Sequence, residues 1–263
     1  MKTEKISFEK YTPDQQGAGS FDGGKITEIK PIPFPHEPGG SGRAGPLLYW
    51  AWASANGDGI IGMHPHKGFE IVSYVLEGTV GHTDTAGNNR RVGKGGIQIM
   101  QTGSGISHQE EMYGDKTDFF QIWFEPNLSK TLKQKPAYKD IDANAFPIEQ
   151  LDTNVSLKHI IGPRGAAQLQ TPIQWDELNF GENGLYETEL EEGGLAAMMI
   201  ASGEVEVTVE AQSKTLTARD FALIETNQTN TLSVAAATDS AQVSAQVALI
   251  TGPIDPGYPL YRF

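Results

Sequence analysis

Three histidines and a glutamate in this chain are spaced as metal ligands are. His64 and His66 lie in G-M-H-P-H-K-G-F-E, and His108 and Glu110 follow in S-H-Q-E-E. In an extended strand, residues i and i+2 project to the same face, so each pair presents two ligand atoms together. If the two segments lie side by side, His64, His66, His108 and Glu110 surround one point with three nitrogens and an oxygen. Such a set suits one divalent ion. A six-coordinate metal would then keep about two positions for water, oxygen or substrate, which separates a catalytic site from a closed structural one. The same donors accept Fe(II), Ni(II), Mn(II), Co(II), Cu(II) or Zn(II), so availability decides as much as affinity. The chain has six histidines; His36, His82 and His159 are isolated and read as ordinary surface or loop residues.

These ligands need strands to hold them, and the sequence supplies short apolar runs punctuated by turns. Residues 1–46 read as loop-rich, with Pro31–Pro46 too broken for regular structure. Strands are expected at Leu47–Ser54, Phe69–Leu76, Thr79–Thr83, Ile97–Gln101 and Phe119–Phe124, with a glycine loop at Thr102–Gly105. Lys130–Asp140 reads as a polar linker, and a second β-rich unit starts near Asp142. Within it, Met198–Gly203, Glu204–Val209, Lys214–Leu216 and Phe221–Ile224 align with Ser73–Gly78, Thr79–Thr83, Arg91–Val92 and Ile97–Met100, with Gly203 set on Gly78. This weak duplication predicts two similar β-domains. The second carries no histidine where His108 would recur, and counting back from Gly203 puts Glu189 and Glu191 at the His-x-His spacing. A structural second domain is expected.

Composition narrows the function further. A chain of 263 residues without cysteine excludes disulfides, thiolate metal sites and cysteine nucleophiles. A formal charge of −13 with dispersed basic residues argues against direct nucleic-acid binding, which draws its affinity from clustered Lys and Arg. Neither a signal peptide nor an apolar run long enough for a membrane span is recognised, so a cytoplasmic protein is expected.

With these segments in view, the chain resembles the pirin family of the cupin superfamily. The resemblance rests on His64–Gly78, His82–Asn88, Ile97–Met112, Gln121–Trp123 and Pro136–Tyr138, which occur in the family's order. It is dense from Gly62 to Asp140, thin before residue 45 and weak in the second half. It implies an all-β fold of two tandem cupin barrels (double-stranded β-helix, jelly-roll-like) packed together. Residues 1–140 would form a metal-binding domain and 141–263 a cupin-like domain without ligands. It also implies His64, His66, His108 and Glu110 as ligands, with iron, as Fe(II), the usual metal. General cupins take a glutamate soon after His-x-His. Strand parity alone puts Glu70 on the ligand face, so its exclusion rests on the resemblance; Glu111 points away from Glu110. Bacterial relatives of this kind resemble quercetin 2,3-dioxygenases, which open a flavonol ring with O2. The small aromatic substrate would sit among Phe69, Ile71, Met100, Ile106, Phe120 and Trp123, with Glu110 accepting its enol proton. A rival reading is a non-catalytic metal protein that senses redox state and acts through a protein partner; a metal-free structural barrel is a third. The long Pro/Gly-rich segment before Leu47 and the ending Gly252–Phe263 depart from the family pattern.

Overall fold

Alternating apolar side chains and glycine-rich turns divide this sequence almost wholly into strands in the computed structural model, which describes residues 6–236 and 245–262. The chain opens with β1 (Ile6–Tyr11), β2 (Gly17–Phe21), β3 (Ile26–Ile32), β4 (Leu47–Asn56) and β5 (Gly59–His66). Next come β6 (Glu70–Asp84), β7 (Asn89–Gly93), β8 (Ile97–Gln101) and β9 (Ile106–Phe124). A one-turn helix, α1 (Leu128–Thr131), precedes β10 (Ala137–Ile141) and β11 (Ile148–Gln150). The remaining strands are β12 (Val155–Ile161), β13 (Gln174–Phe180), β14 (Leu185–Leu190), β15 (Gly194–Ser202) and β16 (Glu204–Val209), then β17 (Gln212–Thr217), β18 (Phe221–Thr226), β19 (Asn230–Ala236) and β20 (Ala245–Pro253). The fold is all-β, as expected, and the chain divides into two compact units. Among the described residues, no helix is long and apolar enough to cross a membrane.

One unit holds Gln15–Ala145 with Gly257–Phe263, the other Met1–Asp14 with Phe146–Pro256. The expected division after residue 140 therefore differs at both chain ends. β1 alternates Ile6 and Phe8 inward and pairs antiparallel with β18, which draws it into the second unit. The tail joins the first unit because Arg43 pairs with Glu125 at 2.6 Å, the Arg43 guanidinium donates to the Tyr261 carbonyl, and the Tyr258 hydroxyl donates to the Glu125 carbonyl.

In the first unit the sheet order is β10-β8-β6-β9-β4-β3-β2, with β5 added to β9 and β7 to β6. The two longest strands bend, and this brings the sheet round on itself. The first half of β6 pairs with the second half of β9, and the second half with the first. Ile26, Ala53, Ala55, Val75, Val80, Val92, Met112 and Phe119 meet inside as one apolar cluster drawn from five strands. Each fully buried large side chain there contributes about 1.5–3 kcal/mol.

Two sequence readings are corrected by this sheet. The first 46 residues contain β1, β2 and β3, because the inward row of β3 is Ile26, Glu28 and Lys30, and two charges within a buried row mask the alternation. Lys130–Asp140 is not only a linker: Ala137–Ile141 forms β10, an edge strand pairing with β8, and edge strands carry polar residues without loss.

The duplication appears in the pairing of both units. β15 and β16 take the place of the two halves of β6; β16 pairs with β17 as β6 pairs with β7, and β15 pairs with β18 as β6 pairs with β8. The aligned glycines share the left-handed region, with φ of 74° at Gly78 and 77° at Gly203. Gly78 has a specific task. Before it Ile71 and Val75 point inward, and after it Val80 does, so the irregularity there changes which parity faces the interior. A Cβ at Gly78 would lie 2.4 Å from the Lys116 carbonyl oxygen. Gly78→Ala should therefore lower stability by about 1–3 kcal/mol, read as a lower melting temperature; an unchanged melt would contradict this account.

Candidate metal centre

Pairing between β5 and β9 brings the two ligand segments together. His64 lies opposite His108 and His66 opposite Ile106 in an antiparallel register. Both pairs thus use their i, i+2 spacing on one face. Ligand atoms of His64, His66 and His108 all lie within 4.8 Å of one another. The three ring centroids are 4.6, 4.6 and 4.8 Å apart, so the rings surround a common point.

Proton positions follow from hydrogen-bond chemistry. His64 Nδ1 lies 2.8 Å from the Gly62 carbonyl oxygen, which can only accept, so the ring carries its proton on Nδ1 and leaves Nε2 free. His66 Nε2 and His108 Nε2 face each other at 3.0 Å. Two nitrogens bound at right angles to one ion at about 2.1 Å would sit about 3.0 Å apart, so this spacing fits a transition metal. Burial, then the rings of His108 and His64, pushes His66 down to about 3. Burial, then His64 and His82, pushes His108 down to about 3. Both rings are therefore neutral, with lone pairs to offer, across the neutral and mildly acidic range.

Glu110 is buried on the same inward row but stands outside that trio of ligand atoms. Gln121 Nε2 donates to both its oxygens at 2.7 and 2.6 Å, and Ser73 Oγ donates at 3.2 Å. Gln121 is itself oriented by Trp123, whose indole N–H donates to its amide oxygen at 3.1 Å. Glu70 turns the other way. Gly68, with φ of 91°, breaks the strand between β5 and β6, so the parity carried forward from His66 is lost. Glu70 lies on the face opposite Ile71 and Ser73, accepting from Gln101 Nε2 at 2.7 Å. Glu111 lies beyond Glu110 on the other face and accepts from Gln109 and the Tyr113 hydroxyl.

Aromatic side chains wall this point. Trp123 stands edge-on to His66 at 4.7 Å and touches Phe34, Tyr49 and Phe69 at 5.2, 5.8 and 5.9 Å. Ile71, Met100 and Ile106 cluster beside Trp123 and Tyr138. Phe120, expected among them, faces the opposite way and packs against Trp50, Trp52 and Tyr74, because the inward residues of this half of β9 are Phe119, Gln121 and Trp123.

Several contributors were not legible as such. Glu28 and Lys30 are buried on the inward row of β3, with Lys30 bonded to Glu37. Burial raises Glu28 to about 7, opposed by Lys30 and reinforced by the charge of Glu110. Burial also holds the Tyr49 hydroxyl well above its usual range, keeping it a donor toward Glu28. The usable signal was the period-two row Ile26, Glu28, Lys30. His82 and His159, expected at the surface, are buried instead. His82 sits on the inward row of β6, and His159 lies between Asp176 at 2.6 Å and Glu149 at 3.1 Å.

In the second unit β14 pairs with β19 as β5 does with β9, but Glu189 faces outward there and Glu191 lies exposed beyond the strand's end. Tyr186, Leu190, Leu232 and Val234 fill the interior at that level. Among the described residues, His64, His66 and His108 form the one group of three or more potential ligands.

The chain is similar to proteins already known. Residues 51–124 match the Pirin family model. A pirin-like protein of Caulobacter vibrioides is 41% identical over 102 residues, covering 38% of this chain and 36% of that protein. A quercetin 2,3-dioxygenase of Escherichia coli K12 is 48% identical over 67 residues, 25% of this chain and 29% of that one. The matched stretches thus span about a third of these relatives' own length. A crystal structure of a bacterial pirin from Escherichia coli in complex with nickel(II) superposes with a TM-score of 0.74 at 21% identity, covering 94% of this chain and 99% of that chain.

Metal analysis should find close to one ion per chain. His64→Ala, His66→Ala or His108→Ala should weaken binding by more than the roughly 10–100-fold typical of losing an outer partner. Glu70→Gln should keep the metal, whereas Glu110→Gln should weaken it; the reverse pattern would make Glu70 the carboxylate ligand. Glu28 gives a separate expectation. Its folded value lies above its unfolded one, so the folded chain binds the extra proton, and stability present at low pH is lost as pH rises. The melting temperature should fall between about pH 5 and pH 8 by more in the wild type than in Glu28→Gln. Parallel slopes would contradict it.

Proposed function

We propose, on the match of residues 51–124 to the Pirin family model, that the chain is a mononuclear metal-dependent dioxygenase of the pirin family acting on flavonol-type enols with O2. The observation that carries this reading is the convergence of three imidazoles beneath an aromatic wall, with one buried carboxylate alongside. His64, His66 and His108 would hold the ion, with Glu110 completing the set or standing free as a base. A bound divalent ion, Fe(II) or Ni(II) foremost, would supply Lewis acidity at an ionised substrate oxygen and the redox chemistry with O2.

The chain's own groups account for the rest. Phe34, Tyr49 and Trp123 present ring faces and edges suited to a flat aromatic substrate, and they exclude water from it. Gln121 holds both Glu110 oxygens through its amide N–H groups, and Glu110 would accept the enol proton. The buried Tyr138 hydroxyl has no hydrogen-bond partner among the described residues, so it would offer a donor to a substrate oxygen. An ionised enol is more electron-rich toward O2 than a neutral one, and a preorganised site holds that charge without reorganising.

The test is oxygen uptake by iron- or nickel-loaded protein supplied with quercetin, with metal content measured for each sample. Wild-type protein should consume O2, and Glu110→Ala should lose most of the rate, on the order of the 10²–10⁴-fold that general-base catalysis provides. Equal background uptake by both would overturn the dioxygenase reading for this substrate and favour a regulatory metal protein.

A further inference from the structure

His82 was expected to be an ordinary histidine, yet it lies inside the first unit directly behind a proposed ligand. Its Nδ1 is 3.3 Å from His108 Nδ1, and its Nε2 is 2.9 Å from Asp84 Oδ2. Both residues are nearly fully buried, at 3% and 6% exposure. Tyr138 stacks on the imidazole at 4.2 Å and 19°, which holds the plane of the ring. Asp84 is in turn fixed: Ala86 N and Asn88 N donate to Oδ1, and the Asn88 amide donates to Oδ2.

We infer that Asp84 and His82 form a positioning relay that sets the tautomer and orientation of His108 for metal binding. The inference rests on the metal-centre reading and concerns residues outside the ligand set. Every proton in the chain of contacts is determined from one end. An ionised Asp84 only accepts, so a neutral His82 must carry its proton on Nε2. His82 Nδ1 is then a lone pair and accepts from His108. That requires His108 to carry its proton on Nδ1, leaving Nε2, the nitrogen that faces His66, free for the ion. The opposite His108 tautomer would set two lone pairs against each other at Nδ1 and a proton where the metal must sit. Metal-bound imidazoles commonly direct their second nitrogen to such a partner, and losing it typically costs 10–100-fold in affinity. His64 meets the same need with the Gly62 carbonyl.

Asp84→Asn gives a test with a defined sign. The two backbone N–H donors hold an acceptor at the Oδ1 position, which places the new amide N–H2 at Oδ2, facing His82. His82 must then accept at Nε2 and carry its proton on Nδ1, pointing it at the His108 proton. His82→Phe removes the acceptor but keeps a flat ring against Tyr138. Zn(II) is the probe, with affinity measured by chelator competition and ring protonation by ¹⁵N imidazole shifts of the Zn(II)-loaded protein. In the wild type, His82 should be the Nε2–H tautomer and His108 should be protonated on Nδ1. Asp84→Asn and His82→Phe should each weaken Zn(II) by about 10–100-fold, and His82→Gln, which can both accept and donate, should recover part of it. If Phe does not fold, the Asn and Gln variants decide the matter. Wild-type binding with both variants within about threefold of it, or His82 protonated on Nδ1 in the wild type, would overturn the relay alone. A wild type that takes up no Zn(II) would overturn the relay and the metal centre together.

Discussion

Antiparallel pairing of a single 19-residue strand, β9, with β5, β6 and β4 is the constraint on which this site depends. Its first half presents Ile106, His108, Glu110 and Met112 inward; its second half presents Phe119, Gln121 and Trp123. The strand therefore supplies a ligand, the carboxylate, the amide that orients it and the indole that covers it. Each neighbour adds what lies in register. β5 brings His64 and His66, and β6 sets His82 across from Glu110 and Asp84 across from His108. A one-residue slip would turn every one of these side chains to the other face, so the apolar cluster below the site also enforces the register above it.

The buried carboxylates beside the histidines meet neutral donors, whereas Asp118 and Glu125 pair with Lys116 and Arg43. Glu110 and Glu70 are each met by glutamine amides, and Asp84 by an imidazole, an asparagine and two backbone N–H groups. Neutral donors satisfy the oxygens without cancelling their charge, which leaves negative potential for a cation and costs less than an unpaired carboxylate. Glu28 differs from all of these: its partners are a tyrosine hydroxyl at 3.4 Å and Lys30 at 3.8 Å, these long contacts do not repay its burial, and its proton is held more tightly. The His66 and His108 imidazoles take the opposite course, held low because burial and mutual repulsion both disfavour the charged form.

The two units show how one strand plan serves with and without this chemistry. Their pairing schemes correspond and both turn on a left-handed glycine. Where the first unit has inward histidines and a glutamate, the second has Tyr186, Leu190, Leu232 and Val234. Largely apolar side chains pack the unit at that level, and its buried His159 pairs locally with Asp176 and Glu149.

The all-β class, the duplication and the grouping of His64, His66 and His108 were legible in the sequence because each follows from local pattern. Period-two alternation, glycine placement and i, i+2 spacing need no knowledge of distant residues. The early strands β2 and β3 were not legible, since Glu28 and Lys30 occupy a buried row that composition assigns to the surface. Parity also failed at Glu70, where Gly68 interrupts the strand, and at Phe120, whose face depends on the bend within β9. His82 is the clearest case. Alone in the sequence it has no partner at ligand spacing, and only the pairing of β6 with β9 sets it behind His108. The sequence by itself determined which side chains alternate together along each strand; the tertiary structure alone decided which strands face one another, because register and strand bending are set by long-range packing that no local spacing encodes.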